Sequence, residues 1–228
     1  MRPDLSRLCS SLGYSFSDMG LLDQALTHRS ASRKLNNERL EFLGDAQVGQ
    51  VIARQLYQQF PEASEGQLTR MRASLVRGQT LAAVARDMSV GDYLVLGGGE
   101  LKSGGFRRDS ILADALEAII GAILLDGGAE AADEAILRWF SVRLANVSPD
   151  TAQKDAKTRL QEWLQARQRP LPDYDVTEIE GLAPRQNFTV CLTLTDSSEQ
   201  FVGKGTSRRR AEQAAADLAL EALTGEGA

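Results

Sequence analysis

The sequence has little of what proteins use to hold zinc: its 228 residues include one histidine, His28, and two cysteines, Cys9 and Cys191. Because zinc sites take most of their ligands from these two residue types, a Cys/His zinc site is excluded. A bound metal ion would be held mainly by carboxylate oxygens and water, which favours Mg²⁺ or Mn²⁺. The two distant cysteines form no disulfide framework, so we expect a reducing, cytoplasmic environment.

Long apolar runs and an excess of positive charge are also missing. No stretch reaches the ~20 apolar residues of a membrane-spanning helix, and the N-terminus has no long apolar segment typical of a signal peptide. Lys and Arg number 26 against 31 Asp and Glu, a net charge of -5. Neither part of the chain is basic: there are 16 basic against 19 acidic residues up to residue 153, and 10 against 12 after it. We therefore expect no membrane partner, and nucleic-acid binding would depend on local basic clusters.

The chain divides at a short polar linker, residues 148–153. Residues 1–147 have helical periodicity and predict helices at about 3–12, 18–28, 38–59, 65–76, 78–89, 109–125 and 129–145. Five glycines between Gly97 and Gly105 predict a mobile loop. Residues 154–225 predict a helix, three strands and a last helix. The expected fold is multi-domain, an all-α domain followed by a small α+β domain of α-β-β-β-α order.

Glu38, Glu41 and Asp45 lie in the first turns of the third predicted helix. At about 100° per residue they fall within about 60° of one another, and their face continues through Val48 and Ile52. Carboxylates grouped beside an apolar stripe repel each other and lose hydration, which raises their pKa values unless a cation binds. A favourable interaction with the helix dipole accounts for acids in the first turn but not for Asp45. These acids are therefore candidate metal ligands.

A second pair of acids lies in Ile111–Leu125, a segment that is apolar on every side and predicts a buried helix. Asp114 and Glu117 are three residues apart and so share one helix face. One interpretation is a buried salt bridge to Arg107 or Arg108, although a salt bridge needs only one acid. The other is a metal site shared with the first group, because buried acids almost always have partners.

A metal ion held by both helices would suit phosphodiester hydrolysis. It lowers the pKa of bound water, shields the phosphate charge and stabilises the leaving oxygen. Glu65 follows another predicted helix start, where Ser64 and Gln67 can form a capping box. A capping role and a role in the site are both open for Glu65.

Three stretches resemble the ribonuclease III family: ALTHRS at 25–30, NERLEFLGDA at 37–46 and FRRDSILADALEAIIGAILLD at 106–126. The resemblance covers essentially the whole chain. It implies a helical endonuclease domain that forms a homodimer and cuts double-stranded RNA to 5′-phosphate and 3′-hydroxyl ends, in rRNA precursor and other RNA processing. It implies Mg²⁺, for which Mn²⁺ can substitute, and the ligands Glu41, Asp45, Asp114 and Glu117, with Asp45 and Glu117 catalytic and Glu38 and Glu65 in supporting catalytic roles. Ala46 is a departure, since the family usually has serine there.

The second domain resembles a double-stranded-RNA-binding domain, with KDAKTRLQEWLQ at 154–165 and GKGTSRRRAEQAAADLAL at 203–220. A physical argument stands beside this resemblance. Arg208, Arg209 and Arg210 begin a helix, where the helix dipole disfavours cations. Contact with phosphates explains them better than a solvated basic turn, and backbone N–H groups of the same turn add to an anion site.

The resemblance implies further RNA contacts in the first helix of this domain, the loop after its first strand and the start of its last helix, namely Thr158, Gln161, Glu162, Arg185 and Ser207. The first-helix residues would reach 2′-hydroxyls in the shallow minor groove. Pro184 departs from the family, which usually has histidine there, so we expect Arg185 to supply a phosphate contact instead. Trp163 is expected in the core.

Two other functions stay open. A catalytically silent protein that binds double-stranded RNA as a regulator would have the same second domain, but it would not need the complete set of four carboxylates. A glycosidase that uses paired acids would leave the basic helix unexplained. The lone His28, near a predicted helix end, is interpreted as structural.

Overall fold

A computed structural model describes residues 4–149, 156–181 and 186–225. By its internal contacts the chain divides into two compact units, Met1–Gln153 and Lys154–Ala228. The first unit is built from helices, and the second combines two helices with a three-stranded sheet. The predicted multi-domain fold, all-α followed by α+β, is therefore confirmed.

The described helices of the first unit are, in chain order, α1 (Leu5–Leu12), α2 (Met19–Ala25), α3 (Glu38–Gln59), α4 (Glu65–Val76), α5 (Gly78–Asp87), α6 (Gly98–Lys102) and α7 (Asp109–Asn146). Helices α1 to α5 lie at or close to the predicted bounds, α7 covers two predicted helices, and α6 was not predicted. Short 3-10 turns lie at Val90–Tyr93 and Gly105–Arg107. Helix α7 is interrupted at Gly128, whose φ of +82° breaks the helix where two helices were predicted. In the described part of the chain, no helix has the length and apolarity that crossing a bilayer requires.

Helices α3 and α7 cross at very short range in the centre of this unit. A Cβ atom on Gly44 would lie 1.8 Å from the carbonyl oxygen of Glu117, and one on Gly121 would lie 2.2 Å from that of Leu40. Because any side chain at either glycine would overlap the opposite backbone, the crossing requires glycine on both helices. This contact places the first turns of α3 directly beside the turn of α7 that carries Glu117.

The glycine-rich segment differs from the predicted loop, since residues 98–102 form α6. The backbone N–H of Gly97 donates to Ser30 Oγ (2.9 Å), and a Cβ on Gly97 would lie 2.3 Å from the Ser30 carbonyl oxygen. A Cβ on Gly105 would lie 2.9 Å from the carbonyl oxygen of Glu100. The prediction of a loop is wrong for α6, and the glycines on either side of this helix, Gly97 and Gly105, allow close backbone packing.

The second unit follows the predicted order, with α8 (Ala156–Ala166), β1 (Asp173–Glu180), β2 (Asn187–Thr193), β3 (Gln200–Gly205) and α9 (Arg208–Thr224). The strands form an antiparallel sheet in the order β1-β2-β3. Val190, Leu192 and Leu194 are buried, as the alternating pattern predicts. Trp163 is half-buried and packs against the core, as expected.

Helix α9 lies against β3 at two glycines. A Cβ on Gly203 would lie 2.2 Å from the backbone nitrogen of Ala215, and one on Gly205 would lie 2.6 Å from that of Ala211. Both alanines are fully buried, so the small residues of β3 and α9 allow the two backbones to approach closely. This packing holds the basic first turn of α9 in place just after the end of β3.

Candidate active site and RNA-binding surface

Three carboxylates meet where α3 and α7 cross. Oxygen atoms of Glu41, Asp114 and Glu117 all lie within 4.8 Å of one another, and each side chain is half-buried. A compact set of anionic oxygen donors is the ligand type that Mg²⁺ and Mn²⁺ prefer. The residues present therefore fit a hard divalent cation.

Burial, more than the neighbouring charges, raises the pKa values of these three acids. Burial, followed by the charges of Asp45, Glu41 and Asp114, raises the pKa of Glu117 to about 8. Burial is also the main cause of the raised pKa values of Glu41 and Asp114. A cation bound among the carboxylates would offset both the lost hydration and the repulsion. The cluster has the electrostatics of a cation site.

Asp45 lies one turn after Glu41 on α3 and is exposed. It is outside the trio that lies within 4.8 Å. Its charge nevertheless acts on the pKa of Glu117 more strongly than that of any other neighbouring acid. The structure thus brings Asp45 to the edge of the cluster, and its role as a metal ligand stays a prediction.

The two supporting acids lie further from the trio. Glu38 is exposed and pairs with Arg29, with Nη1 and Oε1 3.4 Å apart. Glu65 is exposed in the first turn of α4, and within this chain the structure does not bring it to the trio. The predicted capping box is confirmed, since Ser64 and Gln67 bond reciprocally at the start of that helix.

The alternative of a buried salt bridge is wrong for the second pair of acids. Arg108 pairs with Glu100, with Nη1 and Oε1 2.7 Å apart. Over residues 4–149, no ion pair joins Arg107 or Arg108 to Asp114 or Glu117. The charges that act on Glu117 are those of the other carboxylates, whereas those of His28 and Arg29 lower the pKa of Asp114 without outweighing burial.

A cavity of about 780 Å³ adjoins the cluster and carries charges of both signs. Glu41 and Asp114 line it together with Arg29, Arg33 and Arg108. Guanidinium groups bind phosphate oxygens readily, so the cavity combines a cation site with phosphate-binding groups. Sequence reasoning did not single out Arg29 and Arg33 as functional; the only signal was the position of Arg29 within ALTHRS.

His28 also borders this cavity, and its contacts support a structural role. Its side chain is 9% exposed, and its Nδ1 lies 2.8 Å from Ser30 Oγ and 3.2 Å from the Ser30 backbone nitrogen. Ser30 Oγ in turn accepts the hydrogen bond from Gly97. His28 therefore helps to hold the segment before α3 against the start of α6.

In the second unit, the predicted basic turn begins α9. Arg208, Arg209 and Arg210 are all exposed. Ser207 caps the helix, because its side chain accepts a hydrogen bond from the Arg210 backbone N–H. Ser207 therefore has a structural role in shaping this turn, whatever else it contacts.

A polar depression of about 570 Å³ joins the starts of α8 and α9. Among the residues that line it are Thr158, Gln161, Arg208 and Arg209, so the structure brings these four predicted RNA contacts together. Lys157 also lines it and was not identified from the sequence, because a single lysine in a helix carries no distinctive signal. Glu162 is exposed on α8 and does not line the depression, whereas Pro184 and Arg185 lie outside the described residues.

Comparisons with known proteins agree with this geometry. Residues 18–144 match the model of the Ribonuclease-III-like family, and residues 156–223 match that of the double-stranded RNA binding motif. This chain belongs to the ribonuclease III family.

Relatives support the assignment over nearly the full length, and a solved structure supports it for the nuclease domain. The chain is 67% identical over 223 residues to Ribonuclease 3 of Alcanivorax borkumensis, covering 98% of each chain, and 58% identical over 224 residues to Ribonuclease 3 of Vibrio cholerae, covering 98% of this chain and 99% of the other. The chain also matches a solved structure of the ribonuclease III nuclease domain from Campylobacter jejuni, with a TM-score of 0.60 and 43% identity. That structure shows flexibility in the region involved in dimer formation. It covers 61% of this chain and 97% of that domain.

Proposed function

We propose that this protein is an Mg²⁺-dependent endoribonuclease that hydrolyses double-stranded RNA to 5′-phosphate and 3′-hydroxyl ends. The observation that carries the proposal is the trio of Glu41, Asp114 and Glu117, three mutually repelling carboxylates within 4.8 Å. It occurs in a chain that also matches the double-stranded RNA binding motif. A catalytically silent regulator would gain nothing from so costly a cluster, and the family match does not favour a glycosidase.

The four carboxylates have distinct parts in this proposal. Glu41, Asp114 and Glu117 would hold the ion, and Asp45 would complete the set from the edge of the cluster. When bound, Mg²⁺ supplies an activated water and shields the phosphate charge, and Mn²⁺ has similar ligand preferences. Glu117 must give up its proton for binding, because its pKa of about 8 keeps it largely protonated at neutral pH without a cation.

The arginines that line the adjoining cavity would bind the RNA backbone near the ion. Arg29 and Arg33 come from the segment before α3, and Arg108 immediately precedes α7. Their guanidinium groups can donate paired hydrogen bonds to phosphate oxygens. In this way the chain would orient the scissile phosphate against the carboxylates.

We also propose that the protein acts as a C2 homodimer, as expected for the cutting of two strands. Phe42, next to Glu41 on α3, is 80% exposed, and so large an exposed aromatic ring suits a subunit interface. A dimer would bring a second carboxylate cluster to the same duplex, and Glu38 and Glu65 would support catalysis at the surface that the two chains build. Sedimentation of the wild-type protein as an active monomer at micromolar concentration would contradict this assembly.

The second domain would anchor the duplex. Arg208, Arg209 and Arg210 would contact phosphates, and Thr158, Gln161 and Glu162 would reach 2′-hydroxyls in the minor groove. Ser207 would assist at the start of α9, and Arg185 would add a contact from its loop. The substrates we propose are rRNA precursors and other duplex transcripts of the cytoplasm, a reducing compartment with which the free thiols of Cys9 and Cys191 are compatible.

The deciding experiment is incubation of the full chain with long duplex RNA and with single-stranded RNA of the same sequence, with Mg²⁺ and with chelator. We expect cutting of the duplex only, in Mg²⁺ only, and products with 5′-phosphate and 3′-hydroxyl ends. Binding of the duplex without any cutting in Mg²⁺ would favour the silent regulator. Cutting at the same rate in chelator would contradict the metal site.

A further inference from the structure

Glu212 is a buried acid in the middle of the basic surface of the second unit. Its side chain accepts hydrogen bonds from Lys157 Nζ at Oε2 (2.8 Å) and from Arg208 Nε at Oε1 (2.9 Å). Lys157 is the second residue of α8, and Arg208 is the first residue of α9. One carboxylate therefore ties together two cations at the starts of two helices.

The contacts keep this carboxylate charged. Glu212 is 9% exposed. Burial opposes its ionisation, but the hydrogen bonds from Lys157 and Arg208 outweigh burial and hold its pKa below the usual value. The Glu212 carboxylate is thus ionised at neutral pH, with one hydrogen-bonded cation on each oxygen.

Stability alone gives a weak account of this network. Cations in the first turn of a helix interact unfavourably with the helix dipole. Within α9, Arg208 precedes Glu212 by four residues, the weaker orientation for an acid–base pair on a helix. Buried ion pairs are in general weak contributors to stability, because the loss of hydration offsets much of the attraction.

The geometry instead suits the presentation of cations to a polyanion. Glu212 takes one donor from each cation, while the Lys157 side chain stays 41% exposed and that of Arg208 stays 62% exposed. Both line the depression shared by α8 and α9. Long cationic side chains lose rotamer freedom when they bind a phosphate, and cations that are already held lose less on binding.

We infer that Glu212 is a positioning residue for double-stranded RNA, which holds Lys157 and Arg208 as a fixed pair of phosphate-binding cations. The inference rests on the proposed binding of duplex RNA by this domain. If only the net charge mattered, removal of the Glu212 carboxylate would tighten RNA binding, because a carboxylate repels phosphate. If Glu212 positions the two cations, its removal weakens RNA binding. The sign of the effect therefore decides between the two.

The chain offers a matched control on the same helix. Asp217 of α9 pairs with Arg159 of α8, with 3.8 Å between Nη1 and Oδ1, and its side chain is 55% exposed. Glu212→Gln and Asp217→Asn each remove one negative charge and one acid–base contact between α8 and α9. Only the first removes the carboxylate that Lys157 and Arg208 share, although Lys157 keeps its contact with the Tyr174 ring, 4.2 Å from the ring centroid.

The experiment measures the affinity of the full chain for an RNA duplex of at least about 16 base pairs over a series of salt concentrations. Ca²⁺ replaces Mg²⁺, because the larger ion with less strict geometry should permit binding with little cutting. We expect Glu212→Gln to weaken binding about three- to tenfold and to flatten the salt slope by about 1 to 2, since each lost phosphate contact removes ~0.7–0.9. Asp217→Asn should bind as tightly as wild type or more tightly. Glu212→Gln binding as well as Asp217→Asn would overturn the inference.

A double-mutant comparison separates positioning from a general loss of fold. In a Lys157→Met/Arg208→Met background, Glu212→Gln should cause no further weakening, because the cations it positions are gone. Equal weakening in both backgrounds would mean that Glu212 acts through the fold, which overturns the inference. If the wild-type chain itself fails to bind duplex RNA, the proposed function fails first and this inference with it.

Discussion

The two units treat buried carboxylates in opposite ways. At the α3–α7 crossing, Glu41, Asp114 and Glu117 have each other as neighbours, and the pKa of Glu117 rises to about 8. On α9, Glu212 is also buried, yet two cations of the same chain hold its pKa below the usual value. Arg29 offsets the raised pKa values of Glu41 and Asp114 only in part, whereas the charge of Glu212 is matched by two hydrogen-bonded cations.

The difference shows that the charges around a buried acid distinguish a candidate metal site from an acid that is already paired with cations of its own chain. Buried like charges are costly unless a cation is supplied from outside. A buried acid with two hydrogen-bonded cations needs nothing further and can organise its neighbours. On this physical basis we assign the first cluster to metal binding and the second to presentation of cations.

The largest effect should come from neutralising one member of the first cluster. Glu117→Gln should lower the rate of duplex cleavage in Mg²⁺ by about 10²–10³-fold or more, because the variant loses a ligand of the metal ion that would stabilise the transition-state charge. Duplex affinity measured in Ca²⁺ should stay within about twofold of wild type, since phosphate contacts are retained. Glu130→Gln, an exposed acid on the same helix, is the control and should cut normally. Cleavage by Glu117→Gln near the wild-type rate would rule out the assignment.

The cluster also depends on the close crossing of its helices. Gly44→Ala should destabilise the first unit by about 1–3 kcal/mol or more, because the new methyl group overlaps the Glu117 carbonyl oxygen. Cleavage should fall with it. Gly49→Ala on the same helix meets nothing within 4 Å and should stabilise the protein by about 0.5–1 kcal/mol. Thermal unfolding of both variants is the measurement, and similar stabilities would show that the crossing can relax.

The two units should also respond to pH with opposite signs. Because the folded pKa of Glu117 (about 8) lies above its ordinary value of 4.5, the metal-free fold loses stability as pH rises between these values. Glu117→Gln should therefore stabilise the metal-free protein increasingly from pH 5 to pH 8. The pKa of Glu212 is lowered, so its contribution is fully present above 4.5 and is lost as pH falls below that value. Glu212→Gln should destabilise the protein equally at pH 6 and pH 8, and calorimetry over this range tests both trends.

A smaller effect should appear in metal binding itself. Below about pH 8, Mg²⁺ must displace a proton from Glu117, so the rise in melting temperature on adding Mg²⁺ should be larger at pH 8 than at pH 6. In Glu117→Gln this pH dependence should largely disappear. A Mg²⁺ effect that is the same at both pH values would mean that Glu117 is not protonated in the metal-free protein.

Much of the fold was predictable because it depends on local rules. Helices α3 and α4 begin and end at the predicted residues, since apolar periodicity indicates both helices and a capping box also marks the start of α4. The glycine-rich segment was predicted wrongly, because local composition cannot distinguish a flexible glycine from one that allows close packing. Gly97 packs against the backbone of Ser30, a residue far away in the sequence.

The sequence by itself determined most of the elements and the residue types of the site: four acids on two helices, too few cysteines and histidines for a Cys/His zinc site, and a basic start to the last helix. Only the tertiary structure decided which groups meet. The crossing at Gly44 and Gly121 brings Glu41 to Asp114 and Glu117, and the packing of α8 on α9 joins Lys157 to Glu212. Helix periodicity reports which residues share a face, whereas distances between helices depend on side chains from both partners.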